Sequence, residues 1–430
     1  MFKKQIIFFF IFCLSFSFIH AVDKATALRI EKEIEKHQTE IKKIRRFLHM
    51  NPELSNQEYD TASLIASKFM GLGLDVNTGI AKTGVTALLQ GNQKGLTIAY
   101  RADIDALPIQ ELTKVPFKSL NPGVMHACGH DMHTSIALGT AIVLASLKDK
   151  INGNIKFIFQ PAEEGVPIGE EGGAKLMVQE GVLDDPPVGA IFGLHVWPEN
   201  VGTILFSPET IMANSDWFQI LIKGKSSHGA RPQEGIDAIV LASQVVTSVQ
   251  SIVRRSIDPT EPVVVSFGKI QGGTKANIIA NEVLLEGTVR TLSEASRKKI
   301  GLLIENIVKG ITHSVGADYS FIYQEGTPAV YNHPDLAKIM LPTFTKCLGQ
   351  KNIRPLKPQL VSEDFSYYCQ KIPGLYFFLG VKDPSQKTMA PLHNPYFNPD
   401  ERSIALGIKI MCHLLLDCLE KQSQLENNFR

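Results

Sequence analysis

The 430-residue chain lacks an excess of charge of either sign: 44 Lys and Arg residues face 43 Asp and Glu residues, for a formal net charge of +1. This balance gives no sign of a polyanion-binding surface, and basic pairs such as Arg254-Arg255 are too isolated to form a patch. The sequence also lacks internal repeats and low-complexity stretches, so nothing supports a structural or adhesive role. We therefore predict no nucleic-acid partner.

Cysteine is scarce, with six residues in the chain. Cys13 lies in an N-terminal apolar run, and Cys128 lies among other residue types that bind metals. Cys412 and Cys418 share a predicted helix at a spacing that turns them apart, which makes them poor partners. We predict no required disulfide.

The N-terminal apolar run covers residues 6–19. It is shorter than a membrane-spanning helix, which requires about 20 residues. It follows Lys3-Lys4 and precedes Ala21, a small residue suited to cleavage, and then charged Asp23. The pattern predicts a signal peptide over residues 1–21 and an exported protein, periplasmic or secreted, without membrane attachment after cleavage. A retained membrane anchor is the alternative.

What the chain does contain is a dense group of metal-binding residue types. Residues 126–133 read His-Ala-Cys-Gly-His-Asp-Met-His. Thiolate and imidazole together favour zinc, cobalt or nickel, and an added carboxylate also admits manganese. One Cys-x-His pair supplies at most two ligands, so a site needs further ligands from elsewhere in the chain.

Three apolar segments predict buried strands that bring such ligands. Residues 155–159 precede Glu163-Glu164, residues 191–197 contain His195, and residues 375–380 precede a loop with His393. Because sites in open α/β sheets form at the carboxyl ends of the strands, we expect these side chains to share one site.

The adjacent glutamates suggest a mechanism. A metal hydrolase needs one carboxylate on the metal and a second that takes a proton from metal-bound water and gives it to the leaving amine. Glu163 and Glu164 could divide these duties, whereas the alternative is a pair of solvated surface charges. Their position between a buried strand and Gly165 favours the first interpretation.

Read in order, the motifs resemble the metal-dependent amidohydrolase family of hippurate hydrolases, auxin-conjugate hydrolases and N-acyl-amino-acid amidohydrolases, within the aminoacylase and carboxypeptidase metallopeptidase clan. The resemblance runs from about Arg45 to the C-terminus. Besides the segments above, it is carried by residues 46–49, 52–54, 100–108, 224–228, 272–277, 287–290 and 362–365.

The resemblance implies two divalent metal ions per subunit, of manganese, zinc, cobalt or nickel, held by Cys128, His130, Glu164, His195 and His393. It implies that Glu163 is the general acid/base, and it allows Cys128 to bridge the two ions. Asp105 would orient an imidazole ligand. We expect the flanking residues His126 and His133 to have structural or supporting roles, because more ligands from so short a segment would crowd one metal.

The resemblance also implies a lid and dimerisation domain. Its His228 would stabilise the tetrahedral oxyanion, often in the partner subunit's active site, and Asn277 and Arg290 would bind the substrate carboxylate. The expected assembly is a homodimer through this domain.

The predicted fold class is α/β. A zinc-peptidase-like catalytic domain, with a mixed central sheet flanked by helices, carries an inserted two-layer α+β lid. A chain this long exceeds the about 250 to 300 residues of one core, and the element order changes to strand-helix-strand-strand-helix after about residue 208. We predict catalytic segments 22–207 and 321–430 around a lid at 208–320.

The predicted function is hydrolysis of the amide bond of N-acyl or N-aroyl amino acids, such as hippurate, or of small dipeptides, by a metal-activated water. The nearest alternative enzyme is a periplasmic metallo-carboxypeptidase or dipeptidase. A metal- or ligand-binding periplasmic protein is the alternative from another class, although such a protein would not need an unliganded Glu163 beside Glu164.

Overall fold

The structure, a computed structural model, describes residues 22–428. The predicted signal peptide, residues 1–21, lies outside the described residues. Among the helices of residues 22–428, none combines the length and apolar character that a membrane-spanning helix requires.

The described residues form ten α-helices and fourteen strands. The helices are α1 (Lys24–Met50), α2 (Tyr59–Gly71), α3 (His130–Ala145), α4 (Gly173–Gln179), α5 (Ala238–Ser256), α6 (Glu294–His313), α7 (Pro334–Leu348), α8 (Ser366–Cys369), α9 (Arg402–Glu420) and α10 (Gln422–Asn428). The strands are β1 (Asp75–Ile80), β2 (Gly84–Gln90), β3 (Gln93–Asp103), β4 (Asn152–Gln160), β5 (Val188–Asn200), β6 (Ile204–Phe206), β7 (Glu209–Met212), β8 (Asn214–Lys223), β9 (Val263–Gly272), β10 (Glu282–Thr291), β11 (Asp318–Thr327), β12 (Val330–Asn332), β13 (Ile353–Pro355) and β14 (Gly374–Lys382).

The larger sheet has eight strands in the order β1-β2-β4-β3-β5-β14-β6-β13. Its centre is parallel, because β3 pairs in parallel with both β4 and β5, and β14 pairs in parallel with β5. Strands β1, β2 and β6 add antiparallel pairs. The predicted mixed central sheet is confirmed, and the carboxyl ends of β3, β4, β5 and β14 meet at one edge.

Both faces of this sheet are covered, which explains the continuous apolar runs of its strands. In β14, Leu375, Phe377 and Leu379 join a core with helices α1, α3, α7 and α9, while Tyr376 and Phe378 join a second core with α4 and α8. Alternate residues of a strand point to opposite faces, so one strand serves both cores.

The smaller sheet is antiparallel, in the order β11-β8-β10-β9. Helices α5 and α6 pack on one face over a separate apolar core. The predicted order of elements lacks β11, which pairs with β8 from Asp318 to Thr327. This edge strand has a half-exposed, polar sequence that gives little apolar signal. The sheet thus ends at Thr327, whereas the predicted lid ends at residue 320.

The chain enters and leaves this smaller sheet through neighbouring strands. Strand β7 precedes β8, strand β12 follows β11, and β7 and β12 pair with each other as a two-stranded sheet. The two chain connections between the larger and the smaller sheet therefore lie side by side.

Candidate metal centre and its cavity

Cys128 and His130 flank the glycine that starts helix α3. Gly129 has a φ of 92°, and a Cβ atom there would lie 2.4 Å from Val196 Cγ2, so only glycine fits this junction. His130 is the first residue of α3, and the side chains of Cys128 and His130 are both buried. The junction holds a thiol and an imidazole close together beside strand β5.

The five predicted metal ligands meet in two overlapping groups. The ligand atoms of Cys128, His130 and His195 lie within 4.8 Å of one another, as do those of Cys128, Glu164 and His393. Cys128 Sγ is 3.3 Å from His195 Nε2 and 3.2 Å from His393 Nε2. A Glu164 oxygen is 3.3 Å from His393 Nε2. Because Cys128 belongs to both groups, the arrangement suits two cations that share one thiolate.

His130 and His195, the two buried histidines among the predicted ligands, each commit one ring nitrogen to the protein. His195 Nδ1–H donates to the Val196 carbonyl oxygen over 2.6 Å, which leaves Nε2 with a free lone pair. His130 Nδ1 lies 3.1 Å from Asp105 Oδ1, and its buried Nε2 has no hydrogen-bond partner among the described residues. A buried polar atom without a hydrogen bond is costly, and carboxylate oxygens of Glu163 and Glu164 lie 3.8 Å from this nitrogen. The residues present therefore fit a bound metal cation.

The electrostatics of the site also favour an added positive charge. Burial lowers the pKa of His130, but Asp103 and Asp105 outweigh it and raise this pKa to about 10. Burial, followed by Glu164 and Glu163, raises the pKa of the Cys128 thiol well above its usual value. A divalent cation reverses this effect, because metal binding favours the thiolate.

Asp105 contacts two of the predicted ligands. Its Oδ1 faces His130, and its Oδ2 accepts hydrogen bonds from the Glu164 backbone N–H over 3.0 Å and from Ser55 Oγ over 2.8 Å. The predicted contact between Asp105 and an imidazole ligand is thus present. The contact with Glu164 is an addition that the sequence does not indicate.

Glu163 lies beside a second pair of carboxylates. Oxygen atoms of Glu163, Glu363 and Asp364 lie within 4.8 Å of one another, and Arg101 Nη2 donates to Glu363 and Asp364 over 2.9 Å each. Burial, followed by Glu363 and Glu164, raises the pKa of Glu163 well above its usual value. A carboxylate with a raised pKa is suited to take up a proton and release it again near neutral pH.

Four residues of this network have no role in the sequence-based prediction: Arg101, Asp103, Glu363 and Asp364. Arg101 and Asp103 belong to strand β3, and Arg101 Nη1 donates to Asp103 Oδ2 over 2.6 Å. The available signal was the second half of this strand, in which Arg101 interrupts, and Asp103 ends, an apolar run that starts at Ile98, since buried charges need partners.

Two further histidines, His133 and His126, lie near the candidate metal centre. His133 Nδ1 lies 2.5 Å from Asp103 Oδ1, and its Nε2 accepts from the Val196 backbone N–H over 2.9 Å. His126 is buried, its ring has no hydrogen bond to any residue of the described range 22–428, and burial lowers its pKa to about 4. Neither histidine belongs to the two donor groups that contain Cys128.

A cavity of about 370 Å³ opens onto the predicted ligands. It is lined by Cys128, Glu163, Glu164, His195 and His393 on its polar side, with Ser362 and Glu363. Its apolar wall consists of Trp197, Pro198, Met212, Val361, Pro391 and Leu392. Trp197 is held by a stacked contact with Phe378, whose ring centroid is 4.3 Å away. The cavity offers an apolar surface next to the candidate metal centre.

The predicted lid residues lie on the smaller sheet and its loops. His228 and Asn277 are exposed, and neither lines the cavity in the described part of the chain. The Ala230 backbone N–H donates to His228 Nδ1 over 3.1 Å. Arg290 is partly buried, and its Nη1 lies 3.4 Å from Oγ of Ser362, a cavity residue. The structure thus brings Arg290 to the cavity rim, and the roles of all three residues stay predictions.

Comparisons with known proteins agree with this geometry. A model described as Peptidase family M20/M25/M40 matches residues 99–417. An N-acyl-L-amino acid amidohydrolase of Geobacillus stearothermophilus is 44% identical over 311 residues, which cover 72% of this chain and 82% of that protein. Thermostable carboxypeptidase 2 of Saccharolobus solfataricus is 38% identical over 393 residues, or 90% of this chain and 97% of that protein.

A solved structure extends the similarity to the fold. The crystal structure of the Bacillus subtilis YXEP protein, described as a dinuclear metal binding peptidase from the M20 family, superposes with a TM-score of 0.79 at 34% identity. The match covers 90% of this chain and 99% of that chain.

Proposed function

This chain belongs to peptidase family M20/M25/M40, and we propose that it hydrolyses the amide bond of small N-acyl or N-aroyl amino acids. Family membership confirms the predicted resemblance and the prediction of a hydrolytic enzyme. The single observation that carries the proposal is the position of Cys128 in two donor groups, one of which includes Glu164, while Glu163 lies beside them in a third group with His130 and Glu164. The name of the Geobacillus relative supports the class of substrate.

The residues that would hold two divalent metal ions are Cys128, His130, Glu164, His195 and His393. When bound, the ions supply Lewis-acid chemistry, in which they activate water and polarise the amide carbonyl. The mixture of thiolate, imidazole and carboxylate suits zinc, cobalt, nickel or manganese.

Glu163 moves the proton in this proposal. Its carboxylate takes a proton from the attacking water and delivers it to the nitrogen of the leaving amine. The neighbouring carboxylates Glu363 and Asp364 favour the protonated form of Glu163, which makes the second transfer easier. Arg101 keeps these two carboxylates in place.

The substrate is held at both ends. The apolar wall with Trp197 and Leu392 accepts the acyl or aroyl group, and Arg290 at the rim pairs with the α-carboxylate, for which a guanidinium group is well suited. Asn277 assists in binding the carboxylate. His228 stabilises the oxyanion in the partner subunit's site of a homodimer, a role supported by its exposed ring outside the cavity of its own chain.

A carboxypeptidase or dipeptidase is the second candidate, and the Saccharolobus relative favours it. Such substrates share the α-carboxylate and differ in carrying a free amine on the acyl side. The cavity wall offers this side apolar surface, and Glu363 is the carboxylate that could meet the amine.

The test measures amine release from hippurate, N-acetyl-amino acids and dipeptides side by side, together with metal content by mass spectrometry. Glu163→Gln should reduce turnover by about 10²- to 10⁴-fold while metal content stays near that of the wild type. The matched control is Glu171→Gln, which changes an exposed glutamate outside the cavity. Loss of metal in Glu163→Gln would mean that the two adjacent glutamates exchange roles. Faster turnover of dipeptides than of acylated amino acids would favour the peptidase.

A further inference from the structure

The backbone of Val22 lies in an unusual environment for a residue near a chain terminus. Val22 directly follows Ala21, the predicted cleavage site, and Val22 is 0% exposed. Its backbone nitrogen is 3.2 Å from Oδ1 of Asp417, which lies in the last turn of helix α9. Lys346 Nζ donates to the Val22 carbonyl oxygen. Val22 is therefore held on both sides of its backbone.

The carboxylate of Asp417 is buried, so a neighbouring cation would stabilise it. It is 0% exposed, and Thr343 Oγ1 donates to its Oδ2 over 2.6 Å. Within residues 22–428, no lysine, arginine or histidine forms an ion pair with it. Burial lowers the pKa of the neighbouring His413 to about 4, so this ring is neutral at pH 7. A buried carboxylate without a positive partner is strongly unfavourable.

We propose that removal of residues 1–21 creates a free α-ammonium group on Val22 and that Asp417 binds it, while Thr343 holds the Asp417 carboxylate and Lys346 holds the Val22 carbonyl oxygen. A signal peptidase hydrolyses the bond between Ala21 and Val22 with one water, which leaves a carboxylate on Ala21 and an amine on Val22. The amine takes up a proton and becomes the missing cation for Asp417. Processing thereby converts a hydrogen bond from a neutral amide into a charge-assisted one, which is stronger.

The site is specific for cleavage at one bond. Asp23 caps helix α1, because its side chain accepts from the Thr26 backbone N–H over 2.7 Å, and this fixes Val22 immediately before the helix. Consecutive Cα atoms are about 3.8 Å apart. Cleavage one residue earlier would move the ammonium group out of reach of Asp417, and cleavage one residue later would remove Val22 from the core.

The first experiment determines the N-terminus of the exported protein. The full-length chain is produced in a bacterial host that exports it, and the intact mass of the product is measured. We expect a chain that begins with Val22. A mature chain that begins at any other residue would overturn the proposal.

The second experiment tests the contact itself by thermal denaturation. A cleavable fusion partner is used to prepare chains that begin with Val22 or with Ala21-Val22, each with Asp417 or Asp417→Asn. The extra alanine should lower the melting temperature by about 3 °C when Asp417 is present and by less than about 1 °C when it is replaced. Equal shifts in both backgrounds would refute the coupling. Glu420→Gln, an exposed change on the same helix, is the control and should keep the full effect of the extension.

A third measurement decides the question if Asp417→Asn does not fold. The native chains that begin with Val22 and with Ala21 are treated with an amine-acylating reagent, and the N-terminal peptide is followed by mass spectrometry. The Val22 amine should react at least about tenfold more slowly, which corresponds to about 1.4 kcal/mol of protection. Equal rates would contradict the proposed site. This readout is independent of hydrolase activity, so it also holds if the proposed substrate is wrong.

Discussion

Replacement of Asp105 by asparagine is the sharpest test of the candidate metal centre, because this carboxylate supports two predicted ligands at once. Oδ1 faces His130 Nδ1, and Oδ2 accepts from the Glu164 backbone N–H and from Ser55 Oγ. Asparagine keeps the size of the side chain but has only one oxygen. The amide nitrogen of the new asparagine must therefore face either His130 or Glu164.

Both orientations of the new amide are unfavourable. If its nitrogen faces Glu164, two N–H donors oppose each other, and the Glu164 backbone shifts. If its nitrogen faces His130, the ring must carry its proton on Nε2, the atom that would bind the metal. Residues that orient metal ligands in this way typically contribute 10- to 100-fold in metal affinity or activity. We therefore expect Asp105→Asn to weaken metal binding by about 10- to 100-fold, or about 1.4 to 2.7 kcal/mol.

The assay is a metal competition titration against a chromophoric chelator, followed by turnover at saturating metal. Ser55→Ala is the matched control, since it removes the third partner of Asp105 and leaves the contacts with His130 and Glu164. This control should change metal affinity by less than about threefold. An unchanged affinity in Asp105→Asn would refute the reasoning, as would an equal loss in Ser55→Ala.

Three further changes test other parts of the molecule. Cys128→Ser removes a ligand from both donor groups and should cost bound metal; a variant with two ions and full rate would exclude the ligand set. His228→Ala should lower turnover by about 10²- to 10³-fold with little loss of metal, and an unchanged rate would remove His228 from the site. Burial, then Asp105, raises the pKa of Glu58 from its ordinary value of 4.5 to about 7, so the fold loses stability as the pH rises between these two values and stays less stable above them. Glu58→Gln should stabilise the protein by about 3 kcal/mol in denaturant titrations at pH 8 and have little effect at pH 4.

The elements that position the ligands could be predicted from the sequence because their signal is local. Strand β14 and residues 157–159 of strand β4 are apolar runs, since both faces of the sheet are covered. Helix α7 begins with Pro334, a residue favoured in the first turn of a helix. Strand β11 was missed because an edge strand with one solvated face carries only a weak apolar pattern.

The candidate ligands were identified by resemblance, and their contacts could not be derived from sequence spacing. His393 follows Cys128 by 265 positions, yet its Nε2 lies 3.2 Å from the sulfur. Such proximity depends on the order of strands in the sheet. The network of Arg101, Glu363 and Asp364 was missed for the same reason, because β3 and the segment before α8 meet only in the folded chain.

The strand order explains why two aspartates of one segment stabilise ligands on both sides. Strand β3 lies between β4 and β5, so residues at its carboxyl end are placed between the glutamates that follow β4 and His195 of β5. Asp105 binds the backbone of Glu164 on one side. On the other side, Asp103 binds His133, which in turn accepts from Val196, the residue next to His195. The central strand thus fixes ligand positions through buried hydrogen bonds and supplies no predicted ligand itself. Both aspartates also face His130 and raise its pKa, so this arrangement predicts that their effects on metal affinity are not additive in a double-mutant cycle.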